Sequence, residues 1–380
     1  MFKLIFSILT LLFLVAGATT ALAQPSPPQA AQGQQPPKAP KAKEKAAPAP
    51  AVPYTYSQDQ VPVEPVKVQL AKGGKVAISS RAGQIFVSGW DRDVVQASAT
   101  GDNGPVPIET QTSGDPARPR LLLRLSARRF SGEAKVDVKV PRYADVETLE
   151  GYRGDIQVTD VDGATLINAG NGDVRVVRAG TVKVSRRTGD IRIKDLKGDL
   201  TARSFSGDVV VDNVAGLVDV AATNGDLRIQ NAGGDVRTNS ATGDTEIRCA
   251  KGRADVASAS GSITLIGVGG EVEASTASGD VTFRGAMRSS GSYRLKSLSG
   301  NVSMTIQPDA PGFTATLTTY SGEINTDFPL KLESPVQTGA PLNRRLIGTF
   351  GNGQTKLFLD SFSGTVRIAK GTAAMLKECK

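Results

Sequence analysis

The chain is 380 residues long and carries 45 Lys and Arg against 37 Asp and Glu, a net charge of +8, with no histidine at all. Without histidine there is no Ser-His or Cys-His nucleophile system, and the commonest zinc and iron ligand is missing. Aromatic residues make up only 5%, too few to interleave with basic residues as single-stranded nucleic acid requires, so nucleic acid is excluded as the partner of this basic surface.

Residues 1–23 read as a secretory signal. Lys3 gives the positive start, Leu4 to Val15 is an apolar run too short to span a bilayer comfortably, and Ala21-Leu22-Ala23 is a small-residue cleavage pattern ahead of Gln24. An uncleaved anchor is the rival reading. With the signal removed, no transmembrane span is expected in the mature chain, and its place is the periplasm, the cell surface or the medium. Residues 24–60 are rich in Pro, Ala, Gln and Lys with almost nothing to bury, the composition of a disordered tether. Lys38, Lys41, Lys43 and Lys45 are either plain solvated charges or a weak contact for anionic envelope polymers.

Residues 61–150 alternate like β-structure but without strict spacing. Val76-Ala-Ile78, Gly83-Gln-Ile-Phe-Val87, Leu121-Leu-Leu-Arg-Leu125 and Val136-Asp-Val-Lys-Val140 read as strands, with Pro105, Pro107, Pro116 and Pro119 marking a loop. This region is expected to form an entry cap and first coil, with Trp90 packing in the cap rather than serving as a ligand platform.

From 151 to 304 one short phrase recurs. Gly154-Asp-Ile-Gln-Val158 is followed by Gly172-Asp-Val-Arg-Val176, Gly189-Asp-Ile-Arg-Ile193, Gly207-Asp-Val-Val-Val211, Gly225-Asp-Leu-Arg-Ile229, Gly243-Asp-Thr-Glu-Ile247, Gly261-Ser-Ile-Thr-Leu265 and Gly279-Asp-Val-Thr-Phe283, at spacings of 18, 17, 18, 18, 18, 18 and 18 residues. A weaker copy lies about nine residues on, as in Gly180-Thr-Val-Lys-Val184 and Gly216-Leu-Val-Asp-Val220. Each half is a strand plus a turn, with apolar residues two apart on one face. Hairpin loops tolerate changes of length, whereas stacking like on like does not. The near-constant spacing therefore predicts a parallel β-solenoid, single-stranded and β-helix-like, with two-strand coils of about 18 residues, rather than an antiparallel meander. Eight coils at about 4.8 Å per layer would stack to roughly 40 Å. Beyond Met304 the spacing loosens; Gly322-Glu-Ile-Asn325 and Gly364-Thr-Val-Arg-Ile368 still carry the phrase. Residues 305–370 are read as an exit cap with the last coils, and 371–380 as a tail.

The Gly-Asp-Val-x-Val series, the opening Gly83-Gln-Ile-Phe-Val-Ser-Gly-Trp-Asp91 and the closing Ser363-Gly-Thr-Val-Arg-Ile368 resemble the DUF4097 family, adhesin β-solenoids of bacterial envelopes, over about 66–370. The resemblance implies an exported, β-helix-like protein with an adhesive role. It brings no catalytic residues with it.

The conspicuous polar feature is a column of acids: Asp155, Asp173, Asp190, Asp208, Asp226, Asp244 and Asp280. Stacked about 5 Å apart, neighbouring carboxylates repel by about 1 kcal/mol in water. Three arrangements can offset that. The carboxylates can accept backbone N–H bonds at the turn. They can pair with the arginine two residues on, giving a lattice of Asp173, Arg175, Asp190, Arg192, Asp226 and Arg228, which is the candidate binding face. Calcium between turns is the third arrangement, although calcium-binding nonapeptide solenoids carry a richer Gly-Gly-x-Gly-x-Asp turn. No other cofactor is indicated. Cys249 and Cys379 suit an oxidising space and can pair with each other, pair between molecules or stay free.

The function read from these features is non-catalytic: an exported cell-envelope scaffold or adhesin presenting a flat polar face to an anionic envelope polymer, a glycan or a surface protein. Self-association into a structural envelope assembly is one alternative. A carbohydrate-active β-helix enzyme is another, working through two carboxylates, but the minimal turns between 154 and 283 leave no walls for a cleft.

Overall fold

The computed structural model describes residues 64–81, 83–102, 104–115, 118–125, 133–333, 344–372 and 379. The expected signal at 1–23 and tether at 24–60 lie outside the described residues, as does most of the tail.

The strands form two sheets of 16 strands each. The strong copies stack in the first sheet: Ile156–Val161, Val174–Ala179, Ile191–Leu196, Val209–Val214, Leu227–Ala232 and Thr245–Ala250 are parallel neighbours in sequence order. The weak copies stack in the second sheet, from Thr165–Asn171 through Val182–Thr188, Leu200–Ser206, Val218–Asn224 and Val236–Thr242 to Val272–Ser278. Equivalent residues lie in register, so Val174, Ile191, Val209 and Leu227 form one continuous inward column. Adjacent copies run parallel, which makes the fold an all-β parallel solenoid and excludes the meander.

The period-2 alternation explains the core. Val174, Val176, Val182 and Val184 all point inward and are fully buried. A second inward column has no counterpart in the simple alternation: Val161, Ala179, Leu196, Val214, Ala232 and Ala250. Each follows a residue in left-handed conformation, namely Asp160, Arg178, Asp195, Asn213, Asn231 and Cys249, with φ between 52° and 59°. That residue bends the strand and slips the alternation by one, so the next side chain turns into the core again.

At both ends the chain is interleaved. Gly83–Trp90 lies between Ala134–Pro141 and Ile156–Val161, parallel to both. In the second sheet Lys75–Ser79 likewise lies between Arg120–Leu125 and Asp145–Arg153. The exit repeats the device. Thr355–Ser363 sits between Ser292–Ser299 and Phe313–Ser321, and Val366–Lys370 sits between Val302–Ile306 and Ile324–Thr326. The first and last coils in sequence are therefore inner layers in space. Antiparallel strands close the stack beyond them: Val66–Gln69, Val94–Gly101 and Ile108–Ser113 at the entry, and Lys331–Leu332 with Arg344–Phe350 at the exit. Three of the four edge strands, Val66–Gln69, Ile324–Thr326 and Lys331–Leu332, are only two to four residues long, and short edges are poor templates for a further chain.

The interior is aliphatic through the regular coils and turns aromatic at the exit. Phe283 and Tyr293 meet edge to face at 5.3 Å, and Phe313 packs on Phe328 at 5.4 Å and on Phe350 at 5.3 Å. At the entry Trp90 packs in the cap, its indole N–H donating to the Val94 carbonyl at 2.7 Å with Arg92 over the ring. The two cysteines are joined as the disulfide Cys249–Cys379, 130 residues apart in sequence, which ties the chain's end to the bend of the Thr245–Ala250 strand.

Candidate functional site

The corner that precedes each strong strand is built around glycine. Gly189, Gly207 and Gly225 have φ of about 120°, and a Cβ on any of them would meet the carbonyl of the glycine one layer below at 2.0–2.3 Å. Backbone therefore passes backbone at this corner with room for no side chain. The aspartate that follows extends its carboxylate along the stack. Asp155 Oδ1 accepts the backbone N–H of Asp173 at 2.8 Å, Asp173 that of Asp190 at 3.0 Å, Asp190 that of Asp208 at 3.0 Å, and Asp208 that of Asp226 at 2.9 Å. Asp226 continues to Asp244 at 3.0 Å and Asp244 to Ser262 at 2.8 Å. Beyond a serine step, Asp280 accepts from Asn301 at 2.7 Å and Asn301 Oδ1 from Thr365 at 2.9 Å. Each acid thus satisfies a backbone donor that the corner geometry leaves outside the sheet ladder. This is the first of the three arrangements that the sequence left open.

The second arrangement coexists with it, because the outer oxygen remains available. Arg192 reaches Asp190 Oδ2 at 2.8 Å and Asp173 Oδ2 at 3.4 Å. Arg228 reaches Asp226 at 3.3 Å and Glu246 at 4.0 Å. Arg175 and Arg192 are register partners, but Val210 fills the next position before Arg228. Of the six candidate residues, Asp173, Asp190 and Arg192 form one cluster, Asp226 and Arg228 a second two layers on. Arg175 stands exposed beside the first cluster with no ion pair among the described residues. The face is flat and largely self-neutralised rather than a continuous basic stripe. Exposed pairs of this kind contribute little each.

Three further columns escaped the sequence reading. A sparser acid ladder runs along the opposite corner, where Asp145, Asp199 and Asp235 accept the N–H groups of Ala164, Leu217 and Arg253, each at 2.8 Å. Toward the exit an interior column of hydroxyls bonds the corner glycine carbonyls, Thr276 to Gly261 at 3.0 Å and Ser297 to Gly279 and Ser361 to Gly300 at 2.8 Å, whereas Ser204 and Ser258 in the same column have no partner among the described residues. At the entry end of the same column Arg186 takes this register position, 3% exposed, and donates to the Gly154 carbonyl at 3.3 Å. The left-handed bend column is polar too. Arg178 grips Asp160 with two bonds of 2.8 and 2.9 Å, and Asn213 donates to Asp195 at 2.6 Å. The Arg178 hydrogen bond, helped by Arg142, holds the Asp160 carboxyl below the usual carboxylate range. The mostly Asp and Asn composition of that column was its one sequence signal, hidden by Arg178 and Cys249.

Among the described residues no group of three or more His, Cys, Asp or Glu is placed to hold a metal ion. No helix there is long and apolar enough to cross a membrane.

The architecture defines a two-sheet parallel solenoid whose corners carry hydrogen-bonded acid ladders. The chain belongs to the DUF4097 (Toastrack) family, whose model matches residues 116–251 and again 215–369. No curated protein matches the chain. Among solved structures, a "putative cell adhesion protein" from Clostridium sporogenes is 10% identical, covering 81% of this chain and 100% of its own, with a TM-score of 0.18. A "putative adhesin" from Bacteroides fragilis is 13% identical, covering 80% of this chain and 95% of its own, with a TM-score of 0.25.

Proposed function

We propose that this protein is a non-catalytic binding scaffold of the cell envelope, exported and carried on its N-terminal tether. It presents the flat outer face of the first sheet, centred on Asp173, Arg175, Asp190 and Arg192, to an anionic envelope polymer. The acid ladder carries this reading. Each ladder carboxylate spends one oxygen on the backbone of the next layer, so the acids serve as masonry rather than as a free acid–base pair. The corners between Gly154 and Gly285 carry no insertion, so nothing walls off a cleft there. The Cys249–Cys379 bond fits an oxidising compartment. The reading requires no cofactor. End-to-end assembly gains no support from ends closed mostly by strands of two to four residues.

Binding through such a face uses many weak contacts and depends on salt. The test is cosedimentation of the full chain with lipopolysaccharide and with phosphatidylglycerol vesicles at 50 and 500 mM NaCl, between which the Debye length falls from about 14 to about 4 Å. Binding at low salt that falls at least about tenfold at high salt, and several-fold in Arg175→Glu, is expected. Absence of binding to both probes at low salt overturns the proposal.

A further inference from the structure

The exit end of the second sheet carries a feature unlike the rest of the stack. A hollow of about 450 Å³ opens on its outer face, lined by Glu273, Ser275, Arg294, Lys296, Thr316, Thr318, Phe358 and Asp360. That volume lies within the range of small-ligand sites, roughly 300–1,000 Å³. Interleaving creates it: Thr355–Ser363 brings Phe358 and Asp360 beside Arg294 and Lys296, and Phe313–Ser321 adds only Thr316 and Thr318 on the far side. Two short threonines follow a phenylalanine and an aspartate, and the surface drops.

The chemistry of the lining is specific. Phe358 is half-buried, with the Arg294 guanidinium over it at 5.3 Å and Thr316 at the register position on its other side. Lys296 and Asp360 are register partners, yet neither makes a side-chain hydrogen bond or ion pair among the described residues. Thr316 and Thr318 hydroxyls are likewise uncommitted. Two acids and two bases balance within the hollow. An apolar wall borders it one column over, where Leu298, Phe362 and Tyr320 stand on three successive layers at 51%, 51% and 40% exposure. Tyr320 and Phe362 stack with ring centroids 4.7 Å apart and planes 4° from parallel. In a chain with few aromatics, three such side chains exposed side by side mark a contact surface.

We propose that this hollow and its apolar wall are a carbohydrate subsite for a neutral pyranose chain. Uncommitted donors and acceptors meet sugar hydroxyls, while Phe358 and the Tyr320 wall take the apolar ring faces. Lys296 and Asp360 stand side by side, so the hollow offers a phosphate or carboxylate no unopposed cation, whereas the ladder face offers the exposed Arg175. The subsite lies on the opposite sheet from the charged ladder face and does not depend on it.

The test is calorimetric titration of the full chain with cellohexaose, maltohexaose, xylohexaose and chitohexaose, with polygalacturonate as the anionic arm. At least one neutral hexasaccharide is expected to bind, with a Kd that changes less than about twofold between 50 and 500 mM NaCl, since no net charge is screened. Phe358→Ala and Tyr320→Ala should each weaken it about tenfold or more, as loss of an aromatic anchor does. Thr318→Trp, which fills the hollow from an outward position and leaves the core untouched, should do the same with an unchanged melting temperature. Binding of none of the four neutral sugars overturns the proposal, as does binding indifferent to Thr318→Trp and Tyr320→Ala or binding confined to polygalacturonate. Polyanion binding at low salt without neutral-sugar binding sinks this inference alone and leaves the ladder-face reading standing.

Discussion

The Asp208 carboxylate accepts the backbone N–H of Asp226 from the next layer at 2.9 Å, so two like charges one rung apart are bound into one hydrogen-bonded column. A charge-assisted bond to a backbone donor contributes about 1.5–3 kcal/mol, and an orphaned donor carries its own desolvation penalty. Asp208→Ala is therefore expected to lower unfolding free energy by about 2 kcal/mol. Asp208→Asn keeps an oxygen acceptor and removes a repulsive charge, so it should cost less than half as much. Denaturant midpoints for the two variants check this; equal losses would mean that the charge, not the bond, matters. For the same reason, 10 mM calcium or excess chelator is expected to leave the melting temperature unchanged within about 1 °C, because the inner oxygens are already occupied.

The left-handed column gives a second test. Asn231 has φ of 57°, a conformation costing an ordinary L-residue about 1–2 kcal/mol and a β-branched one more. Asn231→Val should destabilise by about that amount and Asn231→Gly by no more than about 0.5 kcal/mol. A thermal melt that ranks the two the other way would refute the role assigned to the bend.

Asp160 links stability to pH. Its carboxyl is held below the usual range by the Arg178 hydrogen bond, so its folded pKa lies below the unfolded value of about 3.9. The stability it contributes is fully present above about pH 4 and is lost as pH falls through the depressed folded value. Asn tolerates the left-handed φ of 59° at this position. The difference in melting temperature between wild type and Asp160→Asn should therefore be constant from pH 7 to 5 and shrink below pH 4. A difference that grows with acid would reverse the assignment.

The repeat phrase made the regular solenoid legible: spacing, inward valines and corner acids all stand where the phrase puts them. The rest is hidden for physical reasons. Leu298 and Phe362 are neighbours in space but 64 residues apart in the chain, so no local pattern foretells the exit hollow. Four of the six bend residues are Asp or Asn, but Arg178 and Cys249 share only the backbone angle with them, and that angle leaves no side-chain pattern to read. The pairing of Cys249 with Cys379 depends on where the chain's end returns, which spacing cannot supply.

The disulfide closes a loop of 130 residues. Cross-links over loops of that size restrict the unfolded chain by about 4–5 kcal/mol in the entropic model, with measured removals of about 2–5. Cys379→Ser is expected to lower stability within that range, and reductant should reproduce the loss in the wild type but not in the variant. Gly267 sits against the bridge, where an added Cβ would lie 2.2 Å from Cys379 Sγ, and has φ of 63°. Gly267→Ala should therefore hinder closure of the bridge, leaving a larger fraction of Cys249 and Cys379 as alkylatable thiols than in the wild type. A thiol content equal to that of the wild type would place Cys379 elsewhere.

Interleaving of the exit makes a sharper demand than the sequential order of the repeat. Thr355–Ser363 separates Ser292–Ser299 from Phe313–Ser321 and is parallel to both. A chain ending at Gly353 therefore loses an inner layer, not an outer one. The Phe313–Ser321 strand, its antiparallel partner Arg344–Phe350 and the Phe313–Phe328–Phe350 cluster are left without the surface they pack on. Coupling in a solenoid passes between nearest neighbours, so damage should stop within one or two layers. Hydrogen exchange of the truncated chain should show protection lost by more than about a hundredfold over 313–326, reduced over 292–306, and unchanged over 174–229, the pattern of a local unit opening on its own. If 313–326 kept its protection, the last strands would be stacked in sequence order and the interleaved exit would be wrong.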